Sequence, residues 1–164
     1  MGWVTLTLRK QGLKAESNQY ELQLLSISSA RRSLAKSRTA KLAALKTEKT
    51  SLMQNAQASY DAAKGDYKSA LQNNTGENKD SSVSQEAALQ FQMAKEEYEA
   101  EKSRVQDLIE TGTDEVEEEI TDQETALDQE QTRIEALLQS VNQEIESVGQ
   151  QIGSDIQSST IKFS

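Results

Sequence analysis

Apolar residues recur along this chain at steps of three and four, in two long stretches separated by one polar segment. The first stretch contains Tyr20, Leu24, Ile27, Leu34, Leu42, Leu45, Leu52, Ala56, Tyr60, Ala63, Tyr67 and Ala70. The second contains Val83, Ala87, Phe91, Ala94, Tyr98, Val105, Ile109, Val116, Ile120, Leu127, Ile134, Leu138, Val141, Ile145, Val148 and Ile152. This spacing is typical of a coiled-coil seam and predicts two long α-helices.

Turn-forming and strand-forming residues set the limits of these helices. The polar run from Asn73 to Asp80 predicts a loop, and Ser82 with Gln85 predicts a capping box after it. Gly112, between two threonines, marks 111–113 as the place where the second helix would break. The predicted segments are a strand-like docking segment at 1–13, a basic helix at 14–72, a polar loop at 73–81, an acidic helix at 82–157 and a second strand-like segment at 158–164.

Charge predicts how the two helices are oriented. Residues 1–50 hold ten Lys and Arg against three Glu, whereas residues 114–146 hold twelve Asp and Glu against one Arg. Folding back at the loop brings these segments together in an antiparallel pair. We expect interhelical charge pairing among Arg31, Arg38, Lys41, Asp114, Glu118 and Glu124. The alternative is that these charges only solvate outward helix faces. The predicted fold class is therefore all-α, a long antiparallel helical hairpin with short strand-like ends.

Composition narrows the possible chemistry. The chain has no His, Cys or Pro, and its aromatic content is 4%. Without His and Cys, the commonest general base and the most reactive nucleophile are absent. Glu118 and Asp122 share a helix face, but two carboxylates alone make a poor metal site. We expect no enzyme activity, no cofactor and no metal.

The ends of the chain carry an apolar set that a narrow coiled coil has no room to bury. Its members are Trp3, Leu6, Leu8, Ile161 and Phe163. In an antiparallel hairpin both ends arrive at the same level. We therefore predict that these residues dock on a partner protein, by joining the edge of its sheet. Frayed ends are the alternative.

Targeting signals are not recognisable in the sequence. No window of about 18 uninterrupted apolar residues exists, so no membrane span is expected. Residues 1–8 are too short for the apolar part of a signal peptide, and the basic residues follow them. We expect a location in a virion or in the cytoplasm, without classical secretion.

These observations favour a non-catalytic coiled-coil component of a large multi-chain assembly, such as a spacer, collar or decoration protein of a virion or phage particle. The plan of residues 14–157 also resembles the stalk proteins of flagellar and type III secretion systems, which are antiparallel helical hairpins. That resemblance implies a cytoplasmic stalk or chaperone, and it rests on architecture and on no specific motif. A second alternative is a nucleic-acid-binding protein that uses the basic run at 31–38. The overall net charge of −9 counts against it.

Overall fold

The computed structural model describes residues 2–77 and 79–163, with side chains described as far as residue 159. Helix α1 spans Trp3–Asn73 and helix α2 spans Ser81–Phe163. The two helices pack together, and the described ranges contain no β-strand. The predicted all-α class is confirmed.

The chain divides into two compact units, each built from one segment of each helix. Unit 1 comprises Met1–Lys36 with Ile120–Ser164, and unit 2 comprises Ser37–Glu119. Within each unit, residues further along α1 contact residues nearer the start of α2. The segments are therefore antiparallel in both. The contacts that show this are Arg9–Glu144, Ser17–Asn142 and Arg31–Asp128 in unit 1, and Arg38–Glu117, Leu45–Gly112 and Gln57–Tyr98 in unit 2.

The core of unit 1 is a seven-residue repeat on both helices. The buried apolar residues are Leu6, Leu13, Ile27 and Leu34 on α1, and Ile120, Ile134, Val141 and Val148 on α2. Half-buried Tyr20 and Leu127 occupy the two intervening places in these repeats. A seven-residue period keeps one narrow stripe of each helix against the other. The core is therefore long and thin, and it holds the helices together through one face of each.

The N-terminal strand-like segment is a wrong prediction, because α1 already begins at Trp3. Leu6 and Leu13 continue the repeat backwards from Tyr20, and they cluster with Val141 and Val148. Burying a leucine side chain contributes about 1.5–3 kcal/mol. The intrinsic strand preference of the alternating Thr and Leu residues is smaller and depends on context. Burial against α2 therefore overrides local preference.

The C-terminal strand-like segment is also wrong, because α2 continues to Phe163. Ser164 lies outside the described residues.

The predicted helix break at 111–113 does not occur, since α2 is continuous there. Gly112 lies under the Leu45 side chain of α1: a Cβ placed on Gly112 would lie 3.0 Å from Leu45 Cδ2. The missing side chain thus makes room for a leucine of the facing helix. Packing of Leu45 outweighs the helix cost of glycine, which is about 1 kcal/mol.

The loop between the helices is organised by Asn74 and Asp80. The Asn74 side chain accepts a hydrogen bond from Asp80 N at 2.8 Å and donates to Asp80 O at 2.6 Å. Gly76 has a φ of 93°, a backbone conformation that favours glycine. Asp80, not Ser82, caps α2, because its carboxylate accepts from Ser82 N at 2.9 Å and Ser82 Oγ at 2.7 Å.

Neither helix, over the part of the chain that the structure describes, has a stretch long and apolar enough to cross a membrane.

Substitution of two helix glycines by alanine separates helix preference from interhelical contact. A Cβ at Gly65 meets no atom within 4 Å. We therefore expect Gly65→Ala to raise the free energy of unfolding by about 0.5–1 kcal/mol. Gly112→Ala should gain less, because Leu45 must move aside. Urea denaturation measures both variants.

A double-mutant cycle tests whether the contact with Leu45 is what limits the gain from Gly112→Ala. Adding Leu45→Ala should restore the full alanine gain at position 112. If Gly112→Ala gains as much as Gly65→Ala while Leu45 is present, the contact imposes no constraint.

The Asp80 cap should make the stability of α2 depend on pH. The hydrogen bonds from the Ser82 hydroxyl and backbone N–H hold the pKa of Asp80 below its ordinary value of 3.8. A lowered folded-state pKa gives a contribution that is present at neutral pH and is lost as the pH falls below about 3.8. We expect Asp80→Ala to lower the melting temperature by roughly 2–4 °C at pH 7, and by less at pH 3.

Asp80→Asn is the control, since asparagine also caps helices but does not titrate. It should retain most of the stability at pH 7. Equal loss in the alanine and asparagine variants would mean that the charge, and not the cap, is responsible.

Candidate protein-interaction surfaces

Ion pairs flank the seam of unit 1. Arg9 pairs with Glu144, and Arg31 pairs with Asp128. Arg31 Nη2 also donates to Gln131 Oε1 at 2.8 Å. The paired side chains remain between one-third and two-thirds exposed. They therefore lie at the edges of the seam, where water still reaches them.

Unit 2 has the same arrangement beside its own seam. Arg38 donates to Glu117 Oε1 from Nη2 at 2.7 Å and from Nε at 3.1 Å. Lys41 Nζ lies 2.6 Å from Glu119 Oε2. In both units, the basic residue belongs to α1 and the acidic residue to α2, so the charge asymmetry of the sequence is used across the helix pair.

The predicted basic residues enter these pairs, but the predicted acidic partners do not. The structure pairs Arg31, Arg38 and Lys41 with Asp128, Glu117 and Glu119, in place of Asp114, Glu118 and Glu124. Glu118 lies two residues before buried Ile120, hence about 160° away from it around α2. Counting residues back from the loop shows approximately which turn of α2 lies beside a given residue of α1. Which side chain of that turn faces α1 depends on the rotation of α2 about its axis.

The predicted docking residues at the chain ends fall in different environments. Trp3 is 49% exposed and Leu8 is 64% exposed, so both are accessible. Leu6 is 4% exposed and packs in the core of unit 1, which corrects its assignment as a docking residue. The side chains of Ile161 and Phe163 lie outside the described residues.

A second group of exposed apolar residues lies further along α1 and was missed in the sequence. Val4, Leu22 and Leu25 are 55%, 66% and 66% exposed. Together with Leu8 they are spaced by 4, 14 and 3 residues, which fits a seven-residue repeat like that of the seam. The signal was available, because two interleaved repeats can be read in residues 4–25. The two repeats share one period, so a search for one seam does not separate them.

Unit 2 contains an aromatic cluster beside a groove of about 340 Å³. Tyr60 lies 5.1 Å from Tyr98 and 5.8 Å from Phe91, and Tyr67 stacks on Phe91 at 5.0 Å, all between ring centroids. The Tyr98 hydroxyl donates to Gln57 Oε1 at 3.0 Å. These rings fill the seam between alanines, so their contacts are those of a helix interface.

The groove offers little for chemistry. Its charged members are Glu97 and Glu101. A hydrogen bond from the Arg104 guanidinium lowers the pKa of Glu101 below its ordinary value. Across the described residues, no group of three or more acidic side chains converges as a metal site would require.

Comparison of the chain with protein-family models, with curated proteins and with solved structures finds no match.

Reversal of the paired cations tests whether they hold the two helices together. We expect replacement of Arg9, Arg31, Arg38 and Lys41 by Glu to lower the free energy of unfolding by up to about 4 kcal/mol at low salt, since each of the four exposed pairs contributes about 0–1 kcal/mol. The loss should shrink in 1 M salt, where the screening length falls to about 3 Å. Urea denaturation at both salt concentrations gives the comparison.

The control replaces Arg32, Lys36, Lys46 and Lys49 by Glu, which changes the net charge by the same amount. None of these four forms an ion pair with a residue that the structure describes. Equal losses in the two variants would show that net charge, and not pairing, sets the stability.

Proposed function

We propose that this chain is a non-catalytic structural protein, whose two helices form an antiparallel coiled-coil hairpin that binds other protein subunits in a large assembly. The observation that carries the proposal is the distribution of apolar side chains. A thin stripe is buried between the helices, whereas Trp3, Leu8, Leu22 and Leu25 remain 49–66% exposed away from it. Large apolar residues in contact with water are a usual mark of protein contact sites.

The proposal of a non-catalytic role rests on the side chains available. The sequence has no imidazole and no thiol. Several of its carboxylates, such as Glu117, Glu119 and Glu144, are engaged with cations of the facing helix. Carboxylates used in this way stabilise the helix pair.

Within this class we favour a component of a virion or phage particle, such as a spacer, collar or decoration protein. The support is the general character of the chain, which is small, acidic and without His, Cys and Pro. A cytoplasmic stalk or chaperone of a secretion or flagellar apparatus would use the same helix pair. The identity of the copurifying subunits distinguishes the two.

Nucleic acid is the less favoured partner. Arg31, Arg38 and Lys41, three of the cations in the basic part of α1, pair with carboxylates of α2. Phosphate groups would have to displace these internal anions before binding there.

Purification of the tagged full-length chain from its source tests the proposal. We expect a stoichiometric complex of several protein subunits that withstands nuclease treatment. The variant Trp3→Ser with Leu8→Ser should remain helical by circular dichroism and lose at least one subunit, because these side chains are exposed and contribute little to the core.

Leu89→Ser with Met93→Ser is the matched control: these residues are 62% and 60% exposed in unit 2, but they form an isolated pair, with Gln or Glu at the neighbouring positions 85, 86, 96 and 97. It should keep the complex intact. Recovery of a free chain, or of a complex that dissolves with nuclease and salt, would contradict a role in a protein assembly.

A further inference from the structure

The outer face of α1 in unit 1 has the spacing of a second coiled-coil seam. Its positions alternate at steps of four and three through Val4, Leu8, Gln11, Ala15, Asn18, Leu22 and Leu25. All seven are exposed, and Leu8, Leu22 and Leu25 are 64–66% exposed. We call these residues the outer stripe.

The outer stripe points away from α2. Nine residues separate Leu22 from buried Leu13, and nine separate Leu25 from buried Leu34. At about 100° per residue, nine residues turn a side chain to the opposite side of the helix. The segment therefore has two apolar faces, of which α2 covers one.

Charges beside the outer stripe are complementary to those of a second, antiparallel copy. Lys14 and Glu21 each lie one residue before a stripe position, seven residues apart. Neither forms an ion pair with a residue that the structure describes. Lys14 and Glu21 occupy the same position of the seven-residue repeat. In an antiparallel coiled coil, residues at this position of one helix face residues at the same position of the other helix. Lys14 of each copy can then face Glu21 of the other, giving two equivalent pairs about a twofold axis.

These charges also select one register. When Leu8 packs against Leu25 of the second copy, Lys14 meets Glu21. A slip of seven residues in one direction brings Glu21 of one copy against Glu21 of the other. A slip of seven residues in the opposite direction brings Lys14 against Lys14. Both slips place like charges together, and like charges repel. A parallel pair would place Lys14 beside the neutral Gln19 and gain no ion pair. In this register Asn18 faces Ala15 of the second copy and Gln11 faces Leu22. These polar residues lower the affinity of the contact, and Lys14 with Glu21 selects the register.

We propose that the full-length chain associates with a second copy of itself through the outer stripe, antiparallel, with Leu8 against Leu25 and Lys14 against Glu21. The proposal rests on the proposed structural function and names one of the partners. It leaves the seam between α1 and α2 unchanged, so each copy keeps its own fold on association.

Sedimentation equilibrium of the purified full-length chain, without other proteins, gives the first test. We expect a reversible monomer–dimer equilibrium. Leu22→Glu with Leu25→Glu should raise the dissociation constant at least about tenfold, a change of about 1.4 kcal/mol. Leu89→Glu with Met93→Glu adds the same charge at equally exposed positions and should leave the constant unchanged. Circular dichroism verifies that both variants stay helical.

A charge swap tests the orientation. Lys14→Glu and Glu21→Lys each create two like-charge contacts in the antiparallel dimer, so each should weaken it about tenfold at low salt. The double variant restores both pairs with reversed sign and should recover the original dissociation constant. In a parallel dimer, Lys14 and Glu21 would lie beside the neutral residues Gln19 and Ser26, so neither single variant should change the dissociation constant.

Cysteine pairing provides an independent readout, because the natural chain has no cysteine. Mixing Leu8→Cys protein with Leu25→Cys protein and oxidising should give the mixed disulfide. In the antiparallel register the two copies of position 8 lie about 25 Å apart, too far for a disulfide.

Three results would overturn the proposal: a chain that stays monomeric into the millimolar range, a dimer unaffected by the Leu22 and Leu25 substitutions, or a dimer that forms the 8–8 disulfide. Each of these concerns the isolated chain alone. They would leave the proposed role in a larger assembly to be judged by purification from the source.

Discussion

Burial of one narrow apolar stripe on each helix is the constraint on which the rest of this structure depends. A seven-residue period matches a helix pair that coils gently, so a single side chain per repeat, such as Leu13 or Ile134, remains in the interface turn after turn. The stripe has little width, and most other side chains face water. In unit 1 the structure therefore gains stability from many small contacts along the two helices. In unit 2 a close interhelical contact, such as Leu45 over Gly112, limits the size of the side chain that the facing position can carry.

Charge has a different role from apolar burial in this arrangement. The ion pairs are partly exposed, and pairs of that kind contribute little stability each. Their role is to favour one orientation, because the antiparallel arrangement brings the basic part of α1 beside the most acidic part of α2, whereas a parallel arrangement would place it beside the less acidic start of α2. Arg31 illustrates the point, since it contacts both Asp128 and Gln131, one helical turn apart. A cation that reaches over a full turn tolerates small shifts in register, and the apolar stripe must then fix the final position.

The extent to which this fold follows from sequence depends on the kind of inference. The helical class and most of the seam could be predicted, because period and composition agree over long stretches. The N-terminal segment could not be predicted from local preference: its Thr and Leu residues resemble a strand, and only the continuation of the repeat from Tyr20 to Leu13 and Leu6 reveals the helix. The acidic partners were misplaced for a related reason. Counting from the loop fixes the level of Asp114 or Glu124, whereas the helical phase decides which carboxylate faces the other helix.

The outer stripe shows how one helix can serve two interfaces without conflict. Leu13 and Leu22 lie on opposite sides of α1, so covering one does not disturb the other. The composition of the two faces differs in a way that physics explains. The inner face places a large apolar or aromatic side chain at every seventh residue from Leu6 to Leu34, and polar Ser17 is buried beside them. The outer face has Gln11, Ala15 and Asn18 between Leu8 and Leu22. A surface that must remain soluble before it meets a partner cannot be uniformly apolar. Polar residues within the stripe weaken association, because in the proposed register Asn18 faces Ala15 and Gln11 faces Leu22 of the second copy. The charges of Lys14 and Glu21 then decide which register is preferred.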